Sequence, residues 1–331
     1  MTEISPAEQL LTVRDFLRYA ISRFNQAGLA FGHGASTAFD DAAYLVLEGL
    51  KLPIDTLEPF LDARLLPAER QRLADLIEAR VTTRKPTPYL LNRAYIQGVP
   101  FFVDERVIVP RSFIGELIHS EFFGGEEFTL IDDLSSVETV LDLCTGSASL
   151  AILAAGVFEN AEIDAVDLSP DALDVARINV AEHNLANRIE LYEGDLFAPL
   201  GGKRYDLILT NPPYVDEIAM EELPEEYRHE PEMALASGLD GLDIVRRILD
   251  TVADHLNPGG GLLCEIGAGR EIIEAEYPAL DFFWLDTEES IGEVFWLTAE
   301  SLGVVDTDAE EQDLDDLESL DQLDGDAPED V

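Results

Sequence analysis

Apolar positions in the first ninety or so residues follow a helical period. Leu10, Val13, Leu17, Ala20, Ile21 and Phe24 recur at intervals of three and four, so they share one helix face, and Gly28 closes the run. A second helix is predicted over 40–50, with Ala43, Leu47 and Leu50 on one side. A third is predicted over 67–81: Pro67 suits a first turn, and Leu73, Leu76, Ile77 and Val81 form the stripe. No catalytic constellation appears here. Residues 1–92 read as a helical head that binds a partner or supports its neighbour. The pattern then changes. Pro86, Pro88 and Pro100 exclude a long helix, and two short apolar runs around Gly98 predict a β-hairpin in a linker over 93–110.

From Glu138 onward the pattern alternates between strand and helix. Short apolar runs predict strands at 139–143, 162–167, 188–192, 205–210 and 260–266, with two more near 281–286 and 293–298. Helices are expected at 147–157, from the Ser169-Pro170 cap to about His183, and at 241–256. This order implies an α/β fold, Rossmann-like, with a mostly parallel seven-stranded sheet covered on both faces. It would occupy 111–303 behind the helical head. Ligands in such sheets sit at the carboxyl ends of the strands.

Charge adds a second division. The chain of 331 residues carries 68 acids against 21 bases, a net of -47. Residues 1–95 hold 12 acids and 11 bases, whereas 306–331 hold 13 acids and no base. The body between them is strongly acidic, which excludes general binding to nucleic acid through phosphate neutralisation. The segment 304–331 reads as a disordered acidic tail, despite leucines at 314, 317, 320 and 323, because like charges repel along it. It serves either as a solubilising tail or as a screen for a basic partner. Two cysteines are too few for a disulfide framework, the apolar runs are far below the ~20 residues of a membrane span, and Met1-Thr2-Glu3-Ile4 lacks a basic leader. A cytoplasmic location is expected, and no metal site: the five histidines lack ligand spacing.

Three loops carry candidate chemistry. The first, Asp142 to Ser149, is a small-residue turn containing Cys144, Thr145, Gly146, Ser147 and Ala148. The second is Asp167, at the end of the next strand, where an acid can accept hydrogen bonds from ribose hydroxyls. Together they point to a nucleoside-bearing cofactor. A dinucleotide needs a glycine-rich turn so that backbone can approach its pyrophosphate, and only Gly146 fits. S-adenosylmethionine has no phosphate, which shifts the balance toward a methyl donor. Asp195 and Leu196, after the third strand, have two readings: an adenine site, with Asp195 at the edge and Leu196 on the ring, or a plain strand-end turn. The third loop, Asn211-Pro212-Pro213-Tyr214, is stiff because prolines fix φ and remove donors. The Asn211 side-chain oxygen and the Pro212 carbonyl can accept from one planar amino group, and Tyr214 can stack on its face. That arrangement suits an amide or aromatic amine whose lone pair must be turned toward a methyl carbon.

These loops resemble class I S-adenosylmethionine-dependent methyltransferases, and the Asn-Pro-Pro-Tyr turn is shared by protein glutamine and DNA adenine methyltransferases. Residues 102–112, Gly115-Glu116-Leu117-Ile118 and 86–90 resemble the ribosomal-protein glutamine methyltransferases; Glu230-Pro231, Ala234-Leu235, Gly238 and Asp240-Gly241-Leu242 are shared with their release-factor-modifying relatives. The resemblance covers about 5–300. It implies methylation of a glutamine amide on the third protein of the large (50S) ribosomal subunit. It places Cys144, Thr145, Gly146, Ser147, Ala148, Asp167, Leu196 and Asn211 at the cofactor, and Asn211, Pro212, Pro213 and Tyr214 at the substrate. The chain departs from the family at Ala148-Ser149, where Gly-Cys is usual, and at Phe113, where Pro is usual.

A basic ribosomal protein fits an acidic body. Residues 215–236 hold eight acids and one base, Arg228, and are expected to steer such a substrate. The basic cluster Arg80, Arg84, Lys85 and Arg93 has two readings: contact with ribosomal RNA, or pairing with the acidic body. The alternatives to a ribosomal-protein enzyme are a release-factor glutamine methyltransferase, a DNA adenine methyltransferase, which would need a basic groove for duplex DNA, and a non-catalytic acidic chaperone.

Overall fold

The structure, a computed structural model, describes residues 5–125, 129–287 and 290–304. The acidic tail lies outside them, except for Val304.

Four helices make the head: α1 (Pro6–Gln9), α2 (Val13–Ala27), α3 (Ala38–Gly49) and α4 (Pro67–Thr83). Thr12 caps α2 by accepting from the Asp15 N–H, while the Asp15 carboxylate accepts from the Thr12 N–H; Gly28 ends the helix at φ 60°. Phe16, Phe24, Leu45, Leu73 and Ile77 are fully buried between α2, α3 and α4. The proline-rich end of the head holds one further turn of helix that its prolines had not suggested, α5 (Thr87–Leu91); Pro88 sits in its first turn, where a missing N–H costs nothing. The hairpin follows as β1 (Ala94–Ile96) and β2 (Val99–Phe101).

The catalytic-domain candidate then runs α6 (Ile114–Leu117), β3 (Thr139–Leu143), α7 (Ser149–Val157), β4 (Glu162–Asp167), α8 (Pro170–Glu182), β5 (Ile189–Glu193), β6 (Tyr205–Thr210), α9 (Glu217–Glu222), α10 (Asp243–Leu249), β7 (Leu256–Glu265), α11 (Arg270–Glu276), β8 (Phe283–Leu285) and β9 (Val294–Thr298). The seven strands lie in the order β5-β4-β3-β6-β7-β9-β8. All pairings are parallel except those of β9, which runs antiparallel to both β7 and β8. One apolar cluster covers each face, so the central strands are buried on both sides, as their mainly apolar runs require.

Two helix boundaries differ from expectation. The helix expected at 147 starts at Ser149, because Cys144, Gly146 and Ala148 adopt φ of 58°, 55° and 62°, which a right-handed helix cannot contain. The helix expected over 241–256 stops at Leu249, and a 3₁₀ turn follows at Val252–His255. The Thr251 hydroxyl donates to the Arg247 carbonyl, an alternative to continuing the helix. Val245, Ile248 and Val252 still pack inward, so the apolar period was legible although the break was not.

Asn179 on α8 fastens the linker to the first loop. Its amide nitrogen donates to the Ser147 carbonyl at 2.9 Å and the Phe102 carbonyl at 3.0 Å, and its oxygen accepts from the Phe102 N–H at 2.7 Å. The side chain is fully buried. Asn179→Ala strands all three partners, so urea unfolding is expected to show a loss of about 3 kcal/mol; a loss within a few tenths would mean the linker is held elsewhere.

Candidate active site

β3 and β6 are neighbours, yet the chain leaves them toward opposite halves of the sheet, which opens a crevice at their carboxyl ends. The two loops beyond these strands are tied together, since the Thr210 hydroxyl donates to the Leu143 carbonyl at 3.1 Å. Behind the first loop, the buried Asp142 carboxylate accepts from the Thr145 hydroxyl at 2.5 Å and the Ala151 N–H at 3.0 Å. Burial pushes its carboxyl up to about 7.

The crevice holds a cavity lined by Cys144, Gly146, Asp167, Asp195, Leu196 and Asn211, six of the residues singled out for a cofactor. Thr145, Ser147 and Ala148 do not line it. They are buried behind the loop, where Thr145 braces Asp142 and the Ser147 carbonyl receives Asn179. Asp167 binds the first loop directly: Oδ2 accepts from the Gly146 N–H and Oδ1 from the Ser169 N–H, both at 2.8 Å. Each oxygen keeps a lone pair for a ligand hydroxyl. The Gly146 N–H is thereby consumed within the chain and is not aimed at a phosphate. The arginines at the cavity, Arg106 and Arg247, are themselves paired with Asp104 and Asp195. A nucleoside with a positive centre fits this donor set; a pyrophosphate does not. Burial pushes the Cys144 and Cys264 thiols up, so neither is a poised nucleophile.

A second cavity opens beside the first. It is lined by Arg111, Pro212, Tyr214 and Tyr227 among others, and Ile108, Asn211 and Ala234 line both cavities. Of those three shared residues, Asn211 alone has a polar side chain, and that side chain makes no hydrogen bond among the described residues.

Arg111 lines this second cavity, and Glu265 and Glu230 brace residues that line it; sequence reading singled out none of the three for the site. The Tyr214 hydroxyl donates to Glu265 Oε1 at 3.0 Å, and Glu265 Oε2 accepts from the Ser112 hydroxyl and the Phe113 N–H at 2.7 and 3.0 Å. The Tyr214 ring lies against Gly267, where a Cβ would come within 2.8 Å of it. Arg111 donates to both oxygens of Glu230 at 2.5 and 2.8 Å. Burial alone would raise the Glu230 carboxyl, but His33 and Arg111 hold it down to about 2. Only partners distant in the chain reveal these roles.

The acidic segment 215–236 does not present all its charge outward: Glu226 and Glu230 are buried. Arg80, Arg84, Lys85 and Arg93 are each paired with carboxylates of the body, Glu226, Glu226, Glu105 and Glu182 respectively. No group of His, Cys, Asp and Glu among the described residues could hold a metal ion.

A family model, Methyltransferase small domain, matches residues 127–238. The chain is 58% identical over 295 residues to the ribosomal protein uL3 glutamine methyltransferase of Bradyrhizobium diazoefficiens, covering 89% of this chain and 92% of that one. It is 54% identical over 301 residues to the enzyme of the same name from Burkholderia pseudomallei, covering 89% and 96%. The chain belongs to the uL3 glutamine methyltransferase family. A methyltransferase from Pyrococcus furiosus of known structure aligns at 16% identity with a TM-score of 0.44, over 69% of this chain and 98% of that one. Ala148, where the resemblance led to an expected Gly, sits at φ 62°, a conformation that favours glycine.

Burial pushes the Glu265 carboxyl up to about 7, above its ordinary 4.5. Folded protein therefore holds this proton where unfolded chain has released it. The associated stability is fully present below pH 4.5 and is lost as pH rises through about 7. Comparing urea unfolding of wild type and Glu265→Gln at roughly pH 5 and 8, wild type should gain on the variant at the lower pH; a constant difference would contradict the buried proton.

Proposed function

We propose that this chain transfers a methyl group from S-adenosylmethionine to the side-chain amide nitrogen of a glutamine in ribosomal protein uL3. The observation that carries this reading is the place of Asn211 between the two cavities. One cavity suits a nucleoside through the remaining lone pairs of Asp167. The other is walled by proline and tyrosine and suits a flat uncharged side chain.

When bound, the donor supplies an electrophilic methyl on a sulfonium. The chain's own residues do the rest. Asn211 Oδ1 and the Pro212 carbonyl accept the two N–H bonds of the carboxamide. An amide lone pair is delocalised, and this grip turns the nitrogen toward the methyl. Aligning the reacting atoms is worth several kcal/mol of barrier, and the two oxygens oppose the positive charge that grows on nitrogen. Tyr214, pinned by Glu265 and Gly267, supports the flat face. As the N–C bond forms, the C–S bond breaks to leave a neutral thioether. The alkylated nitrogen then sheds its proton to water, so no general base is required.

The substrate in this reading is a basic protein met by an acidic surface. Glu217, Glu221 and Glu222 are exposed on or beside α9, close in sequence to the Asn-Pro-Pro-Tyr corner. A cytoplasmic setting follows from a ribosomal-protein substrate; among the described residues no helix is long and apolar enough to cross a membrane.

Asn211→Ala should reduce kcat on purified uL3 by about 100-fold or more, with the melting temperature little changed because the wild-type side chain has no internal partner. Methyl incorporation measured by mass spectrometry checks this. Full turnover by the variant would rule out the amide grip.

A further inference from the structure

Residues 215–236 form a loop whose two ends meet. Val215 N–H donates to the Leu235 carbonyl at 2.8 Å, and Ser237 N–H donates back to the Val215 carbonyl at 2.9 Å. The loop thus leaves the Asn-Pro-Pro-Tyr corner and returns beside it. Between those ends it supplies one wall of each cavity. Pro231 and Met233 face the cofactor cavity, Leu223 and Tyr227 face the substrate cavity, and Ala234 faces both.

This wall has little regular structure of its own: α9 is followed by two 3₁₀ turns, Glu225–His229 and Glu232–Ala234. Glu230 is anchored outside the head, by Arg111 and the Val109 N–H, whereas the stretch around Glu226 is anchored in the head. Glu226 is fully buried, and its Oε1 accepts from Arg84 at 2.8 Å and from the Ala30 N–H at 3.0 Å, with Arg80 at 3.8 Å. Arg84 also reaches Glu225 at 3.4 Å and donates to the Ala27 and Gly28 carbonyls. Arg80 is itself fixed by Asp41 at 2.9 Å. The Tyr227 hydroxyl presses on Gly32, where a Cβ would lie 2.1 Å away, and the Tyr227 ring lies against His33, tilted by 46° with centroids 4.2 Å apart.

We propose that the helical head positions the catalytic wall through Arg84 and Glu226, and that both are positioning residues for donor and substrate alike. Neither touches a cavity. They act by fixing where Pro231, Met233 and Tyr227 stand. The loop's ends are held at the corner and Glu230 is held by Arg111, so the stretch around Glu226 and Tyr227 takes its position from the head. Because one segment walls both cavities, slackening it must weaken both ligands together. This inference rests on the methyl-donor reading above.

The test uses the full chain with Arg84→Ala and Arg84→Lys, each measured at a temperature where circular dichroism shows it folded. S-adenosylhomocysteine affinity is read by calorimetry, and KM and kcat are read on uL3. Arg84→Ala should raise the Kd for S-adenosylhomocysteine and the KM for uL3 by about tenfold each, moving kcat less; Arg84→Lys should recover part of both. Arg84→Ala combined with Glu226→Gln should cost little more than the worse single variant, because the two act as one anchor. Unchanged Kd and KM in folded Arg84→Ala, with only a lower melting temperature, would overturn the proposal. Failure of the wild type to bind S-adenosylhomocysteine would instead overturn the donor reading.

Discussion

A crevice between two parallel strands governs this molecule. β3 and β6 lie side by side, and the chain leaves each toward a different half of the sheet. No crossover helix covers their shared carboxyl end, so polar loop residues collect there. Thr210 joins the two loops across the gap, and Asp142 braces one of them from beneath. The result is a stiff floor on which Asp167 and Asn211 stand at fixed separation. Methyl transfer needs this stiffness more than it needs acid or base, because the barrier is lowered by aligning nitrogen, carbon and sulfur.

The buried carboxylates take opposite protonation states according to their partners. Glu230 meets a bidentate guanidinium and stays ionised. Glu265 and Asp142 meet only hydroxyls and backbone N–H groups, and burial holds their protons to about pH 7. Around neutral pH the wall-bearing loop is therefore clamped by charge, while the tyrosine of the corner is held by neutral or near-neutral hydrogen bonds.

Much of this was legible in the chain. Strands such as Thr139–Leu143 and Tyr205–Thr210 fell where apolar runs placed them, since a strand buried on both faces admits few polar residues. The Asn-Pro-Pro-Tyr corner and Asp167 stood out because their residue types restrict what the backbone and side chains can do. The left-handed residues Cys144 and Ala148 were not legible: nothing about a cysteine or an alanine announces a positive φ, so the start of α7 was placed too early. Glu226 and Glu230 looked like two more acids in an acidic segment. Their depth depends on Arg84 and Arg111, more than a hundred residues away. Arg111 and Glu265 were hidden for the same reason, as long-range partners leave no local pattern.

The most direct measurement is a crystal structure of the full chain with S-adenosylhomocysteine and a glutamine-containing uL3 segment. The account predicts the glutamine amide nitrogen within hydrogen-bond reach of Asn211 Oδ1 and the Pro212 carbonyl, with its lone pair facing the sulfur through the gap between the two cavities. A glutamine seated elsewhere, or Asn211 turned away from the amide to a bond within the protein, would contradict it.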